Sequence, residues 1–288
     1  MTSQNRADFR FVHRLRVRWA EVDMQKIVFN AHYLMYFDTA IADYWRALAL
    51  PYEEAMHRLD GDLYVVKATV EFHRSARLDD QIDVAMKCSR IGTSSMGFTG
   101  AIFRGAEHLI TGELVYVFAD PATQSSRPVP MPLRETVLGY EAGQAVLDVR
   151  LGRWDTLGAD ARALRQTVLV HEQGLPAELE YDAHDEQALH AVAYNRLGQA
   201  VATGRLLPAQ DGVAQLGRLA VHRVLRGSGV GRQLLTALTG AARDRGEREL
   251  VLHAQRSAVG FYLRQGWQVS GPSFEAAGVE HVGMCLVC

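Results

Sequence analysis

Apolar and polar positions alternate along residues 9–19. Phe9, Phe11, Leu15, Val17 and Trp19 fall on one face and Arg10, Arg14, Arg16 and Arg18 on the other, which predicts a half-buried antiparallel strand. The period then changes. Tyr33, Phe37, Ala40, Ile41, Tyr44, Trp45 and Leu48 recur at helical spacing, with Leu34, Tyr36 and Ala42 widening the apolar face. A helix over about 31–48 is therefore expected, wrapped by its neighbours rather than merely docked, with Asn30 as its N-cap. A short helix at 51–59 precedes strand patterns at 64–73, 81–91, 97–104 and 109–119. The predicted order is one strand, one central helix, then four strands.

Pro121, Pro128, Pro130 and Pro132, set among small polar residues, break that pattern. A short helix at 133–140 follows, so the domain boundary is placed near residue 143, giving domains 1–142 and 143–288. The second half opens with a strand at 146–151 and a helix at 155–170. Strand patterns return at 188–194, 200–208 and 213–221. A basic, glycine-rich turn, Arg226-Gly227-Ser228-Gly229-Val230-Gly231-Arg232, comes next and opens a helical pattern. A strand at 250–253 and a short helix at 258–266, stopped by Gly266, complete the readable elements.

A length of 288 residues supports two domains better than one. A net charge of −2 gives no electrostatic reason to expect nucleic acid or an acidic membrane surface as partner. No apolar leader is visible in residues 1–8 and no apolar stretch is long enough to cross a bilayer, so a cytoplasmic protein is expected. Cys88, Cys285 and Cys288 supply neither a disulfide framework nor zinc spacing, and no metal is expected.

Glycines at 227, 229 and 231 remove Cβ atoms where backbone N–H groups would crowd a ligand, and a helix N-terminus adds partial positive charge. Such a turn suits a pyrophosphate, and equally suits close strand-to-helix packing. Its spacing, Arg-x-x-Gly-x-Gly, is neither the dinucleotide fingerprint nor a P-loop. Followed by Ala258-Val259-Gly260-Phe261-Tyr262-Leu263-Arg264-Gln265-Gly266-Trp267, it resembles the GCN5-related N-acetyltransferase (GNAT) family. Within that family His171-Glu172-Gln173-Gly174-Leu175-Pro176, His253-Ala254-Gln255 and the segment Phe274 to Met284 resemble the ElaA and YjcF-like group. The resemblance implies an α/β fold with a mixed sheet and transfer of acetyl from acetyl-CoA to an amine, whose identity it does not give. It implies further that strands 216–221 and 250–253 hold the pantetheine arm through Leu219 and Val221. Arg226, Gly227, Ser228, Gly229, Val230, Gly231 and Arg232 would hold the pyrophosphate, and Tyr262 would protonate the departing thiolate. Gln255 stands where many relatives carry asparagine. For the base that takes the amine proton, Glu172, His253 and His281 have suitable chemistry.

Arg18, Trp19, Asp23, Val28, Asn30, Tyr33, Tyr36 and Phe37, set between a strand and a long apolar helix, resemble the hot-dog fold of the 4-hydroxybenzoyl-CoA thioesterase type. That resemblance implies an antiparallel sheet wrapped around the helix, with Asp23 as nucleophile or general base on an acyl-CoA thioester. It also implies a homodimer or larger homo-oligomer formed through this domain. Lys26-Ile27 replaces a common glycine-histidine or glycine-isoleucine pair. The expectation is an α+β chain joining two coenzyme A-dependent activities, thioester hydrolysis and acetyl transfer. The alternative is a thioesterase regulated by a non-catalytic acetyl-CoA-binding module.

Overall fold

No glycine or proline interrupts Asn30–Ala47, and helix α1 forms over those residues. Just beyond it Ala49 turns the chain left-handed at φ 56°, and Pro51 follows, so the helix cannot continue. The structure, a computed structural model, describes residues 4–276 and 278–288, which divide into two compact units, Met1–Val146 and Leu147–Cys288. Among the described residues no helix is long and apolar enough to cross a membrane.

In the first unit α1 lies among β1 (Phe11–Arg16), α2 (Tyr52–Arg58), β2 (Asp62–Phe72), β3 (Gln81–Ile91), β4 (Ser95–Arg104), β5 (Glu107–Ala119) and α3 (Met131–Glu141). The strands form one antiparallel sheet in the order β1-β3-β4-β5-β2. Helix α1 buries Tyr33, Tyr36, Phe37, Ala40, Ile41, Tyr44 and Trp45. Phe37 seats on a seam of two glycines: Gly100 and Gly112 pair across β4 and β5, and a Cβ on either would come within 2.5 Å of the Phe37 ring. The hot-dog expectation holds as the arrangement of one sheet around one long helix.

Three local expectations fail. Asn30 is the first helical residue, and Phe29, whose side chain carries no acceptor, takes the cap position, anchored by its N–H, which donates to the Glu21 carbonyl at 2.9 Å. Trp19 does not continue the inner face of β1. That strand ends at Arg16, Trp19–Glu21 form a 3₁₀ turn, and Trp19 is 80% exposed. Leu34 and Ala42 are exposed on α1, so a five-stranded sheet covers one face of the helix and leaves part of the widened apolar face open.

The second unit runs β6 (Leu147–Gly152), α4 (Trp154–Arg165), a π-helical segment Gln166–Glu172, α5 (Ala177–Glu180), β7 (Leu189–Asn195), β8 (Ala200–Leu206) and β9 (Val213–Val221). It continues with α6 (Val230–Asp244), β10 (Glu249–Gln255), α7 (Val259–Leu263), β11 (Gln268–Ala276) and β12 (Val279–Val287). The sheet order is β11-β12-β10-β9-β8-β7-β6. The β9–β10 pairing is parallel and the others are antiparallel. Helix α6 buries Leu234, Leu235, Leu238 and Ala242, and Gly246 at φ 76° closes it by donating to the Arg243 carbonyl. Strand β11 is exposed along its length, so it carries no inside-outside alternation for sequence reasoning to find.

Replacing Gly112 with Ala is expected to destabilise the first unit by about 1–3 kcal/mol, the usual cost of overfilling a packed core, read as a lower urea midpoint. Adding Phe37→Leu should recover part of that loss. An unchanged midpoint for Gly112→Ala would contradict the seat described for Phe37.

Candidate functional site

Asp23 sits in a tight turn whose ends are fixed on both sides. Val22 and Val28 form an antiparallel bridge, the Asp23 N–H donates to the Ile27 carbonyl at 3.0 Å, and the Asp23 carbonyl accepts from Lys26 N–H at 2.9 Å. Lys26 adopts φ 63°, a left-handed conformation that glycine takes up more readily than a residue with a Cβ. Outside the turn, Val28 N–H donates to the Ala76 carbonyl at 2.9 Å. The Asp23 carboxylate spends one oxygen, Oδ1, on the Gln25 N–H at 2.8 Å. It lines a cavity of about 730 Å³ with Trp19, Val22, Met24, Lys26, Arg77 and Leu78.

A residue that the sequence did not single out sets this turn against the helix. Glu21 is buried. Its carboxylate accepts from Tyr36 Oη at 2.6 Å, from Arg18 N–H at 2.8 Å and from Arg18 Nε at 2.6 Å. Burial alone would raise the Glu21 carboxyl, but these bonds outweigh it and hold it below the ordinary carboxylate range. Nothing in the local pattern distinguishes Glu21 from a surface carboxylate. Of the other residues in the resemblance, Val28 and Tyr33 are buried, and Tyr33 Oη accepts from Ala76 N–H at 2.9 Å, while Asn30 is exposed.

In the second unit the geometry is set by two strands that part. β9 and β10 pair at Val213–Glu249, Ala214–Leu250 and Gln215–Val251, and no further pairs form although β9 runs on to Val221 and β10 to Gln255. At the parting Arg218 adopts φ 52°, and the β8–β9 register shifts between Thr203 and Arg205, so β9 is kinked away from its neighbour. The gap is a cavity of about 300 Å³ with Leu219, Leu252, His253, Phe261 and Tyr262 in its wall. A second cavity of about 540 Å³ shares Gln173, Leu219, Ala258 and Phe261 with the first, and is lined further by Val221, Arg226, Gly227, Ser228, Gly229, Gly231 and Arg232.

Gly227 and Gly229 are left-handed, at φ 85° and 91°, and a Cβ on Gly231 would approach Val221 Cγ2 to 3.3 Å. Each glycine therefore has its own physical reason. Val230 is buried and belongs to the α6 core, leaving only its backbone in the loop. Tyr262 is buried on α7, edge-packed against Phe261 and Trp267, and burial pushes its phenol up to about 12. The three candidate bases separate clearly. Glu172 is held in a two-pronged ion pair with Arg226, at 2.6 and 2.8 Å. His253 packs edge-on against Phe274. His281 stacks on Phe274 and donates from Nδ1 to the Val279 carbonyl at 2.8 Å; a carbonyl only accepts, so Nε2 keeps a lone pair in the neutral ring. Gln255 Nε2 donates to Gln173 Oε1 at 3.0 Å, tying the end of the π-helical segment to β10. Among the described residues no group of three or more metal-binding side chains gathers.

Beneath the Arg218 kink lies a buried charge cluster that also escaped sequence reasoning. Arg165 bonds Asp185 through two nitrogens, at 2.8 and 2.6 Å, and pairs with Glu180. Arg205 bonds Asp182 and Asp185, and Arg218 donates to the Leu179 and Glu180 carbonyls and to Asp182. The cluster fastens segment 177–186 to β8 and β9.

A family model described as "Acetyltransferase (GNAT) domain" matches residues 158–288, and one described as "Thioesterase superfamily" matches residues 25–111, beginning just after Asp23. Among curated proteins, the uncharacterized N-acetyltransferase YjcF of Bacillus subtilis (strain 168) is 38% identical over 126 residues, 43% of this chain and 89% of that protein. Solved structures similar to the chain include ElaA of Escherichia coli, 24% identical with TM-score 0.44 over 48% of this chain and 98% of that one. A 1,4-dihydroxy-2-naphthoyl-CoA thioesterase from Synechocystis is 18% identical with TM-score 0.42 over 44% and 95%.

Burial would raise the Asp185 carboxyl, yet the bonds from Arg165 and Arg205 bring it down to about 2. A carboxyl depressed in the folded state contributes stability that is fully present above its unfolded value, about 3.9, and is lost as pH falls towards the folded one. Stability of the second unit is therefore expected to drop between pH about 4 and about 2 by an amount on the order of 2 kcal/mol, followed by amide exchange over residues 177–190. Asp185→Asn should lower stability at pH 7 and flatten that acid limb. An acid limb as steep in Asp185→Asn as in the unaltered chain would refute the assignment.

Proposed function

The chain belongs to the GNAT acetyltransferase family through its second unit and carries a thioesterase-superfamily domain in its first, and on that premise we propose that it is a bifunctional coenzyme A-dependent enzyme. The second unit transfers acetyl from acetyl-CoA to an amine, and the first hydrolyses an acyl-CoA thioester. The observation that supports this most strongly is the parting of β9 and β10 beside a left-handed glycine loop, with Tyr262 in the wall of the gap.

The residues present fit such a donor. Leu219 and Val221 lie on the part of β9 that is not paired with β10 and can offer backbone groups to the amides of a pantetheine arm, although the Val221 carbonyl accepts from Arg226 Nε at 3.2 Å. N–H groups at the start of α6, with Arg226 and Arg232, suit a pyrophosphate; an arriving pyrophosphate competes with Glu172 for Arg226. Tyr262 stays protonated at neutral pH and can supply the proton that an expelled thiolate requires, and the burial that raises the phenol also raises a neighbouring thiol. His281 Nε2 is the base that takes the amine proton, since His281 lines the gap in which Tyr262 lies and its tautomer is fixed by a backbone carbonyl.

In the first unit Asp23 attacks the thioester carbonyl or deprotonates the attacking water, with Oδ1 held by Gln25 and Glu21 fixing the turn as a positioning residue. A second copy of this chain completes the surface around it. β2 is an edge strand with Val65, Val66 and Phe72 exposed, and Trp19 and Met24 stand out beside Asp23, an apolar surface that symmetric pairing would cover.

Thiol release from an acyl-CoA panel, with and without amines, tests the whole reading. Asp23→Ala should lower hydrolysis by about a hundredfold or more and spare acetyl transfer. Tyr262→Phe should do the reverse, and the full chain should sediment as a dimer or larger. Hydrolysis unchanged in Asp23→Ala, transfer unchanged in Tyr262→Phe, or a monomer would overturn the corresponding part.

A further inference from the structure

We propose that the cavity beside the point where β9 and β10 part binds the acceptor, and that the acceptor is an amine bearing a carboxylate, such as an amino acid, rather than a polycation. The inference rests on the acetyl-transfer reading of the second unit. This third cavity, of about 420 Å³, shares Leu216, Gly217, Arg218, His253 and His281 with the one in which Tyr262 lies, so an amine there is adjacent to the transferred group. Among the described residues no aspartate or glutamate lines it. Its charged residues are Arg205 and Arg218, and Phe274 supplies an aromatic surface between two imidazoles.

The two guanidiniums are not fully used. Arg205 is buried and gives both terminal nitrogens to Asp182 and Asp185, but its Nε–H, also buried, has no acceptor among the described residues. A buried donor without a partner is uncommon in a finished site and marks a position for a ligand oxygen. Arg218 spends Nε and Nη2 on carbonyls and Asp182, with no bond from Nη1 among the described residues. Burial first, and then the neighbouring Arg205, hold the Arg218 guanidinium below its ordinary value, as expected where a further anion would be welcome. Asp182, Asp185 and Glu180 neutralise these arginines, yet none of the three lines the cavity. A polyamine or aminoglycoside would therefore find no lining carboxylate to pair with, while the spare N–H groups of Arg205 and Arg218 offer only donors, which suit an anionic acceptor.

The step balances without another reactant. The acceptor ammonium gives one proton to His281 Nε2, and its nitrogen attacks the thioester carbonyl carbon. The C–N bond forms, the C–S bond breaks, and the thiolate takes the Tyr262 proton. The second proton leaving nitrogen restores the phenol, His281 releases its proton to solvent, and the carboxylate is unchanged throughout.

The test uses the full chain, with acetyl-CoA binding established first by calorimetry and the N-acetylated product read by mass spectrometry. The common amino acids are compared with decarboxylated counterparts such as tyramine and phenethylamine, and with spermidine and kanamycin. At least one amino acid is expected to be acetylated with kcat/KM about ten- to a hundredfold above its decarboxylated partner, the worth of a charge-assisted bond. Arg218→Asn, chosen because asparagine tolerates the left-handed backbone there, should raise KM for that amino acid about tenfold, with circular dichroism and acetyl-CoA binding by calorimetry as the check that the second unit is folded. If that variant does not fold, the acid-against-amine comparison in the unaltered chain decides alone. Equal turnover of acid and decarboxylated amine, preference for spermidine or kanamycin, or acetyl-CoA binding with no amino acid acetylated would overturn the proposal. Absence of acetyl-CoA binding would instead remove the transfer reading, and this proposal with it.

Discussion

Two parallel strands that stop pairing partway are the constraint on which the second unit turns. Backbone N–H and C=O groups demand partners, and β9 and β10 satisfy that demand for three pairs before they separate. Each strand remains paired on its other side, β9 with β8 as far as Val221 and β10 with β12 as far as Gln255. The parted strands are therefore held by the ladders on their other sides. Arg218 is the hinge of this arrangement: its left-handed backbone costs energy for a residue with a Cβ, and three bonds from its guanidinium to segment 179–182 hold it there. Opening the cleft and fastening the segment beside it are one event.

Much of this was legible along the chain because it repeats at short range. The apolar spacing from Tyr33 to Trp45 predicts α1 closely, and the glycines at 227, 229 and 231 announce a loop that backbone dihedrals and close approach to Val221 then require. What was not legible depends on partners far apart in sequence. Glu21 matters because Tyr36 is packed above it, and Arg165, Arg205, Glu180 and Asp185 form a single buried cluster although each reads as an ordinary surface charge. Trp19 was misplaced for a related reason: the alternation that carries β1 runs past the residue at which the backbone turns into a 3₁₀ helix.

The first unit presents the converse problem. Its sheet buries one side of α1 on a pair of glycines, while Leu34, Val66, Phe72 and Trp19 remain open. Asp23 is held in a turn fixed at both ends, among apolar side chains that the unit does not itself cover. In the first unit the turn that carries Asp23 is held by backbone bonds and by the buried Glu21 carboxylate, and in the second Tyr262 is held by ring packing against Phe261 and Trp267. The family assignments place coenzyme A-linked chemistry in both.

Amide hydrogen exchange of the full chain, with and without coenzyme A, addresses the open cleft most directly. If the parted strands and the glycine loop receive the carrier, exchange at residues 216–221 and 227–232 will slow when coenzyme A is added. Unchanged rates in both segments, with the protein folded, would contradict the account.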